Sequence, residues 1–156
     1  MVEQDLEQKM KDELGMVLDT NEVQIVSSWS AKENEFNADQ NCVLSIYVSP
    51  RQHDSFSLPT VTIDGAIGID FRLEKYPTMS GVSEVFQVVQ DKLDDWHYDA
   101  TEFSRVFSND QFFATELKLS GGTRVSLDRS NGIWTVGLNF QIRGTVFHTA
   151  ENSISQ

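Results

Sequence analysis

Apolar and polar residues alternate along much of this chain, which is the pattern of β-strands that bury one face. The alternation is longest over 61–73 and 134–147, where an apolar residue stands at nearly every second position. Four shorter stretches have the same strand-like character, and they are 22–29, 42–48, 111–119 and 124–128. The pattern therefore predicts six strands in a sheet with one face exposed to water.

Two other segments carry apolar residues at helical spacing. The first spans 3–18 and has one apolar stripe, formed by Leu6, Met10, Leu14, Val17 and Leu18. The second follows Pro77, which stops the preceding strand, and Ser80 is predicted to cap its N-terminus. Its apolar positions run from Val82 to Trp96 with the spacing of one helix face. We predict two helices.

Glycines mark the places where the predicted strands turn or bend. Asn131-Gly132 is the strongest hairpin signal in the sequence. Gly121-Gly122 predicts a turn between the strands 111–119 and 124–128. Gly65 and Gly68 lie inside a predicted strand, where glycine marks either a bulge or the close approach of another backbone.

These elements follow one another in the order α-β-β-β-α-β-β-β. We expect an α+β fold, a two-layer sandwich in which two helices lie on one face of a mostly antiparallel sheet. The length of 156 residues suits a single domain over 1–156. The polar end of the chain, 150–156, is predicted to be a flexible tail.

Charge and hydropathy reduce the range of functions. Asp and Glu number 24 against 12 Lys and Arg, which gives a formal net charge of −12. Binding to phosphate backbones needs clustered basic residues, and none cluster here, so nucleic-acid and anionic-membrane binding are disfavoured. No apolar run reaches the roughly 18–20 residues that span a bilayer. The first residues lack the pattern of a signal peptide, so we expect synthesis in the cytoplasm.

Residues with chemical roles are scattered along the chain. His53, His97 and His148 match no metal-ligand spacing, and neither they nor Cys42 stand in a nucleophile motif. Cys42 opens an alternating strand, so we interpret it as a small buried hydrophobe. A group of acids near the end of the second helix lacks the order of a calcium loop; it comprises Asp91, Asp94, Asp95 and Asp99. We predict no enzyme activity, no metal and no cofactor.

Two polar loops carry isolated apolar residues. Such residues either fold back onto their own sheet or dock on a partner subunit. Both interpretations stay open, and under the second we predict inter-subunit contacts at four loop residues: Phe36, Arg51, Phe56 and Leu58. The long strands 61–73 and 134–147 also predict sheet edges that can pair with another chain unless a helix covers them.

Several local sequences, taken with the element order, point to a known family. The second helix ends in Leu-Asp-Asp-Trp (93–96), and Phe-Phe-Ala-Thr-Glu-Leu follows at 112–117. A Gly-Gly turn and the final hairpin 128–146 complete the pattern. From Leu6 to Val146, the chain resembles the tail terminator and tail completion proteins of tailed bacteriophages.

This resemblance implies a structural role in the virion tail or neck. Such proteins form a ring, commonly a hexamer, on the last disc of tail-tube protein, where the ring stops tube growth and joins the head connector. DNA passes through the lumen without specific binding, which an acidic chain suits. The resemblance implies assembly in the bacterial host cytoplasm and no membrane partner.

Three other interpretations stay open at this point. The chain could be a head–tail connector or another minor tail protein of similar α+β build. It could instead be a monomeric ligand-binding domain whose cavity is lined by Trp29, Trp96 and Trp134. An enzyme that uses the strand acids Asp64 and Asp70 ranks last.

Overall fold

The computed structural model describes residues 2–27, 41–50 and 60–147. These residues form three helices and five strands. In chain order they are α1 (Val2–Val17), β1 (Val23–Ser27), β2 (Cys42–Val48), β3 (Thr60–Arg72), α2 (Met79–Tyr98), α3 (Ala100–Phe107), β4 (Phe112–Asp128) and β5 (Ile133–Val146). The predicted α+β fold is confirmed. The tail 150–156, predicted to be flexible, lies outside the described residues.

The five strands form one sheet in the order β1-β2-β3-β5-β4. β1 runs parallel to β2, and every other neighbouring pair is antiparallel. β3 is paired along its whole length with β5, from Thr60 opposite Thr145 to Arg72 opposite Ile133. β1 and β4 are therefore the two edge strands among the described residues.

All three helices pack on the same face of the sheet. Alternate residues of β2, β3 and β5 are buried and join apolar residues of α1, α2 and α3 in one hydrophobic cluster. α1 lies over β1 and β2, whereas α2 and α3 lie over β4. None of the helices in the described part has the length and apolar character needed to cross a membrane.

Two glycines of the sheet make room for aromatic rings in this cluster. A Cβ at Gly65 would stand 2.3 Å from the ring of Phe140, its partner on β5, and the ring of Phe112 fills the same space at Gly144. Neither Gly65 nor Gly68 forms the bulge given as one option, because β3 pairs with both neighbours without a register shift. At Gly65 the close neighbour is a side chain rather than a backbone.

The third helix, α3, corrects the prediction of two helices. Asp99 caps it, because the Asp99 side chain accepts a hydrogen bond from the Glu102 amide at 3.0 Å. Phe103 and Phe107 lie one turn apart and pack their rings against Trp96 of α2. The predicted cap Ser80 is also wrong, because α2 begins at Met79 and Thr78 is its N-cap residue.

β4 is one strand where two strands and a turn were predicted. Ser120 pairs with Asn139 and Arg124 pairs with Gly137, so β4 carries two more residues than β5 between these pairs. Gly121 has a φ of 71°, which lets the backbone bulge outward without reversing direction. The hairpin predicted at Asn131-Gly132 does join β4 to β5.

A buried carboxylate joins α1 to the sheet. The last β1–β2 pair joins Ser27 to Ile46, so Val48 lies beyond the end of β1. The Val48 amide donates a hydrogen bond of 2.8 Å to Oε2 of Glu7, which is fully buried. The side chain of Glu7 thus accepts from a strand amide that no residue of β1 reaches.

Candidate interaction surface

The face of the sheet turned away from the helices is polar and balanced in charge on β3, β4 and β5, and this part is here called the open face. On β1 and β2 the same side carries Val26 and Val43, which are buried. The alternate residues that it presents on β3, β4 and β5 are mostly exposed or half-buried. Among the described residues it carries four carboxylates and four basic side chains: Asp64, Asp70, Glu116, Asp128, Arg72, Lys118, Arg124 and Arg143. The excess negative charge of the chain therefore lies off this face.

Asp64 and Asp70 of the open face are held by the neighbouring strand β5, whereas Asp128 is held by the turn that follows β4. Asp64 accepts a hydrogen bond from Gln141 at 3.0 Å, and Asp70 accepts one from Thr135 at 2.9 Å. Asp64 and Asp70 stand six positions apart on one strand, roughly 20 Å. That separation is about twice the largest distance that paired catalytic carboxylates use in glycosidases. The structure gives this pair no shared site.

Two exposed phenylalanines lie at one end of the open face, and we call this pair the aromatic corner. Phe113 pairs with Thr145, and Phe147 stands two positions after Thr145 on the same side of the chain. The Phe147 amide donates to the Gln111 carbonyl at 2.8 Å, which keeps it beside β4. Phe113 is 47% exposed and Phe147 44% exposed. Exposed aromatic side chains are typical anchors of protein interfaces.

The first half of edge strand β4 is covered by its own chain. Asn109 exchanges hydrogen bonds with the backbone of Phe112, and Ser108 Oγ accepts from the Ala114 amide at 2.9 Å. His97 donates from Nδ1 to the Leu117 carbonyl at 2.8 Å. His97 thus covers one carbonyl group of the sheet edge.

The second half of β4 has no such cover among the described residues. We call Arg124–Asp128 the free edge. Residues 121–126 are all exposed, including Val125 at 46%. The sequence pattern identified this segment as a strand but carried no sign that it lies at the edge of the sheet.

The other candidate residues of the sequence are part of the packing. Trp96 is buried against α3, and Trp134 donates its ring N–H to the Tyr76 carbonyl at 3.0 Å. Trp96 is part of the core and Trp134 packs against it, while Trp29 lies outside the described residues. Burial raises the pKa of the Cys42 thiol to about 12, in line with a buried hydrophobe.

Three of the acids at the end of α2 accept hydrogen bonds within α2 or at the start of α3. Asp91 accepts a hydrogen bond from Gln87 and Asp94 accepts one from Gln90, each one turn earlier. Asp99 caps α3. In the part of the chain that the structure describes, no three His, Cys, Asp or Glu side chains come together in a group that could hold a metal ion.

The four predicted interface residues Phe36, Arg51, Phe56 and Leu58 lie outside the described residues, as do His53 and His148. The structure instead presents three other surface features: the open face, the aromatic corner at one end of β4 and the free edge at its other end. Sequence reasoning missed the aromatic corner, because only strand pairing shows that Phe113 and Phe147 are neighbours. Comparisons with known proteins found no matching family model and no curated protein of significant similarity.

Proposed function

We propose that this chain is a structural subunit of a bacteriophage tail, a tail terminator that forms a ring on the end of the tail tube. The ring stops tube growth and presents a surface to the head connector. Its partners are other copies of the chain, in a hexamer, together with tail-tube protein and connector protein. The assembly takes place in the bacterial host cytoplasm and the product is part of the virion.

The observation that carries the proposal is the open face together with its aromatic corner. A sheet face of this size, on which no helix of the described residues packs, with its charges balanced and aromatic side chains at one end, offers area for contact with protein. Its carboxylates Asp64 and Asp70 are each held by the neighbouring strand and lie far apart.

The distribution of charge agrees with a conduit for DNA. The open face is neutral, so the net charge of −12 is carried by other parts of the chain. An acidic subunit does not displace counterions from DNA phosphates, and a ring built from such subunits lets DNA pass without gripping it.

Tube growth in the presence of the protein tests the proposal. Tail-tube protein from the same genome is polymerised with and without this chain, and tube length and tube ends are measured by electron microscopy. We expect shorter tubes that carry a ring at one end. Tubes of unchanged length with bare ends, at every ratio of the two proteins, would contradict the proposal.

Matched variants locate the contact. Phe113→Asp with Phe147→Asp changes the aromatic corner, whereas Tyr98→Asp changes a residue that is 83% exposed on the helix side. We expect the double variant to lose tube capping and Tyr98→Asp to retain it, both with native circular dichroism. The loop residues stay a separate prediction, for which Phe36→Asp with Phe56→Asp is the corresponding test.

A further inference from the structure

The free edge presents backbone groups that the rest of the sheet does not use. Three β4 residues have backbone groups that point outward and bond to Asn109, Ser108 or His97. On β5 their pairing partners are every second residue: Val146, Gly144 and Ile142. After the register shift between Ser120 and Arg124, Val125 pairs with Val136 and Leu127 with Trp134. Val136 and Trp134 belong to the same set of every second β5 residue. Because strand backbone groups point alternately to either side, the N–H and C=O groups of Val125 and Leu127 point away from β5.

These outward groups coincide with exposed apolar surface. Val125 is 46% exposed and Leu127 is half-buried, and both belong to the helix side of the sheet, opposite Val136 and Trp134. The first half of β4 has its outer groups covered by Asn109, Ser108 and His97, as described above. An edge that exposes both open backbone groups and β-branched or apolar side chains is a template for another strand.

The free edge is complementary to itself. When two copies of 124–128 run antiparallel about Ser126, Val125 of each copy stands opposite Leu127 of the other. The same register places Arg124 opposite Asp128, so opposite charges meet. A register centred on Arg124 would bring two arginines together, which is unfavourable.

We propose that two copies of this chain pair through the free edge, with β4 of each copy adding antiparallel to β4 of the other about Ser126. In this register the outward N–H and C=O groups of Val125 in each copy face those of Leu127 in the other. Each of the two pairs forms two backbone hydrogen bonds, four in all. The two sheets become one continuous sheet, and the Gly121-Gly122 bulge ends the pairing at one side.

The charged pair in this register is available at neutral pH. Hydrogen bonds from Ser130 and Asn131 lower the pKa of Asp128, so its carboxylate is ionised. Oδ1 takes three of those bonds and Oδ2 takes one, from Asn131 at 2.7 Å, which leaves acceptor capacity on Oδ2 for Arg124 of the other copy. The pairing is independent of the proposed ring, because two-fold contacts join two copies and a ring needs a second, head-to-tail contact.

A single cysteine tests the register. Directly opposite residues of an antiparallel pair have Cβ atoms about 4.5–5.5 Å apart, so Ser126→Cys places two thiols within reach of a disulfide. Thr135→Cys is the control, because Thr135 is also exposed and pairs with Ser126 one strand further from the contact. The native Cys42 is buried and does not compete.

We expect mild oxidation to convert most of Ser126→Cys, but not Thr135→Cys, into a covalent dimer with native circular dichroism. Equal cross-linking of the two variants, or none in either, would overturn the proposal.

Val125→Lys gives a second test without cysteines. Its native mass is expected to be half that of the wild type, while Tyr98→Lys keeps the mass of the wild type. An unchanged mass in Val125→Lys would also overturn it. Tube capping by the wild type is measured separately, so failure of the pairing leaves the proposed function standing.

Discussion

Gly65 and Gly68 lie three positions apart on β3 and have opposite surroundings. The space for a Cβ at Gly65 is filled by the ring of Phe140, whereas nothing lies within 4 Å of a Cβ at Gly68. We expect Gly65→Ala to lower the free energy of unfolding by about 1–3 kcal/mol, because the ring must move. Gly68→Ala is the matched control, and urea denaturation of both variants measures the difference. Equal destabilisation by both variants would contradict the described ring position.

We expect Cys42 and Tyr76 to lower the free energy of unfolding at alkaline pH. Burial is the main cause that raises both pKa values to about 12, from 9.0 for the thiol and 10.0 for the phenol. Above pH 9 the unfolded thiol loses a proton that the folded thiol keeps, so the unfolded state binds fewer protons and stability falls as pH rises towards 12. Between pH 8 and 10 the loss from Cys42 is about 1 kcal/mol.

The comparison with Cys42→Ala measures the contribution of Cys42 to this loss together with its effect on Tyr76, whose pKa Cys42 also raises. We expect the free energy of unfolding of the wild type to decline more steeply with pH than that of the variant, in urea titrations at pH 8, 9 and 10. Parallel curves would mean that the thiol titrates as it does in water. A thiol reagent is likewise expected to react with Cys42 only as fast as the chain unfolds, because the side chain is fully buried.

Strand and helix patterns in the sequence predict where most elements lie along the chain, but not which elements are adjacent in the fold. β2 has the predicted bounds, and α1, β3 and β5 lie within a residue or two of theirs, because a long period-two or helical pattern reflects burial directly. α3 was missed because eight residues show barely two turns of periodicity, although the Asp99 cap and the Phe103–Phe107 spacing were present. The two halves of β4 were separated because Gly-Gly signals a turn more often than a bulge.

α1 depends on one polar contact as well as on its apolar stripe. Glu7→Ala removes the carboxylate that accepts from the buried Val48 amide at 2.8 Å, and we expect a loss of about 1–3 kcal/mol in the free energy of unfolding. Glu7→Gln keeps an acceptor oxygen and is expected to lose less. Thermal denaturation ranks the three proteins. A Glu7→Ala variant as stable as the wild type would show that this bond does not hold α1 on the sheet.

The candidate surface illustrates what a single sequence does not contain. Alternation predicts that Val125 and Leu127 belong to a strand, but the strand order that places β4 at the edge depends on pairing between distant segments. The same holds for the aromatic corner, whose two residues are separated by most of a hairpin. Local pattern therefore predicts the fold class, while contacts between elements decide where a partner can bind.

The native mass in solution, measured by light scattering over a range of concentrations, tests the central claim most directly. The chain mass is 17.7 kDa. We expect the protein alone to form pairs of twice that mass, and the protein mixed with tail-tube protein to form rings of six copies bound to tubes. A mass of one chain at every concentration, unchanged by tail-tube protein, would contradict both the pairing and the role as a structural subunit.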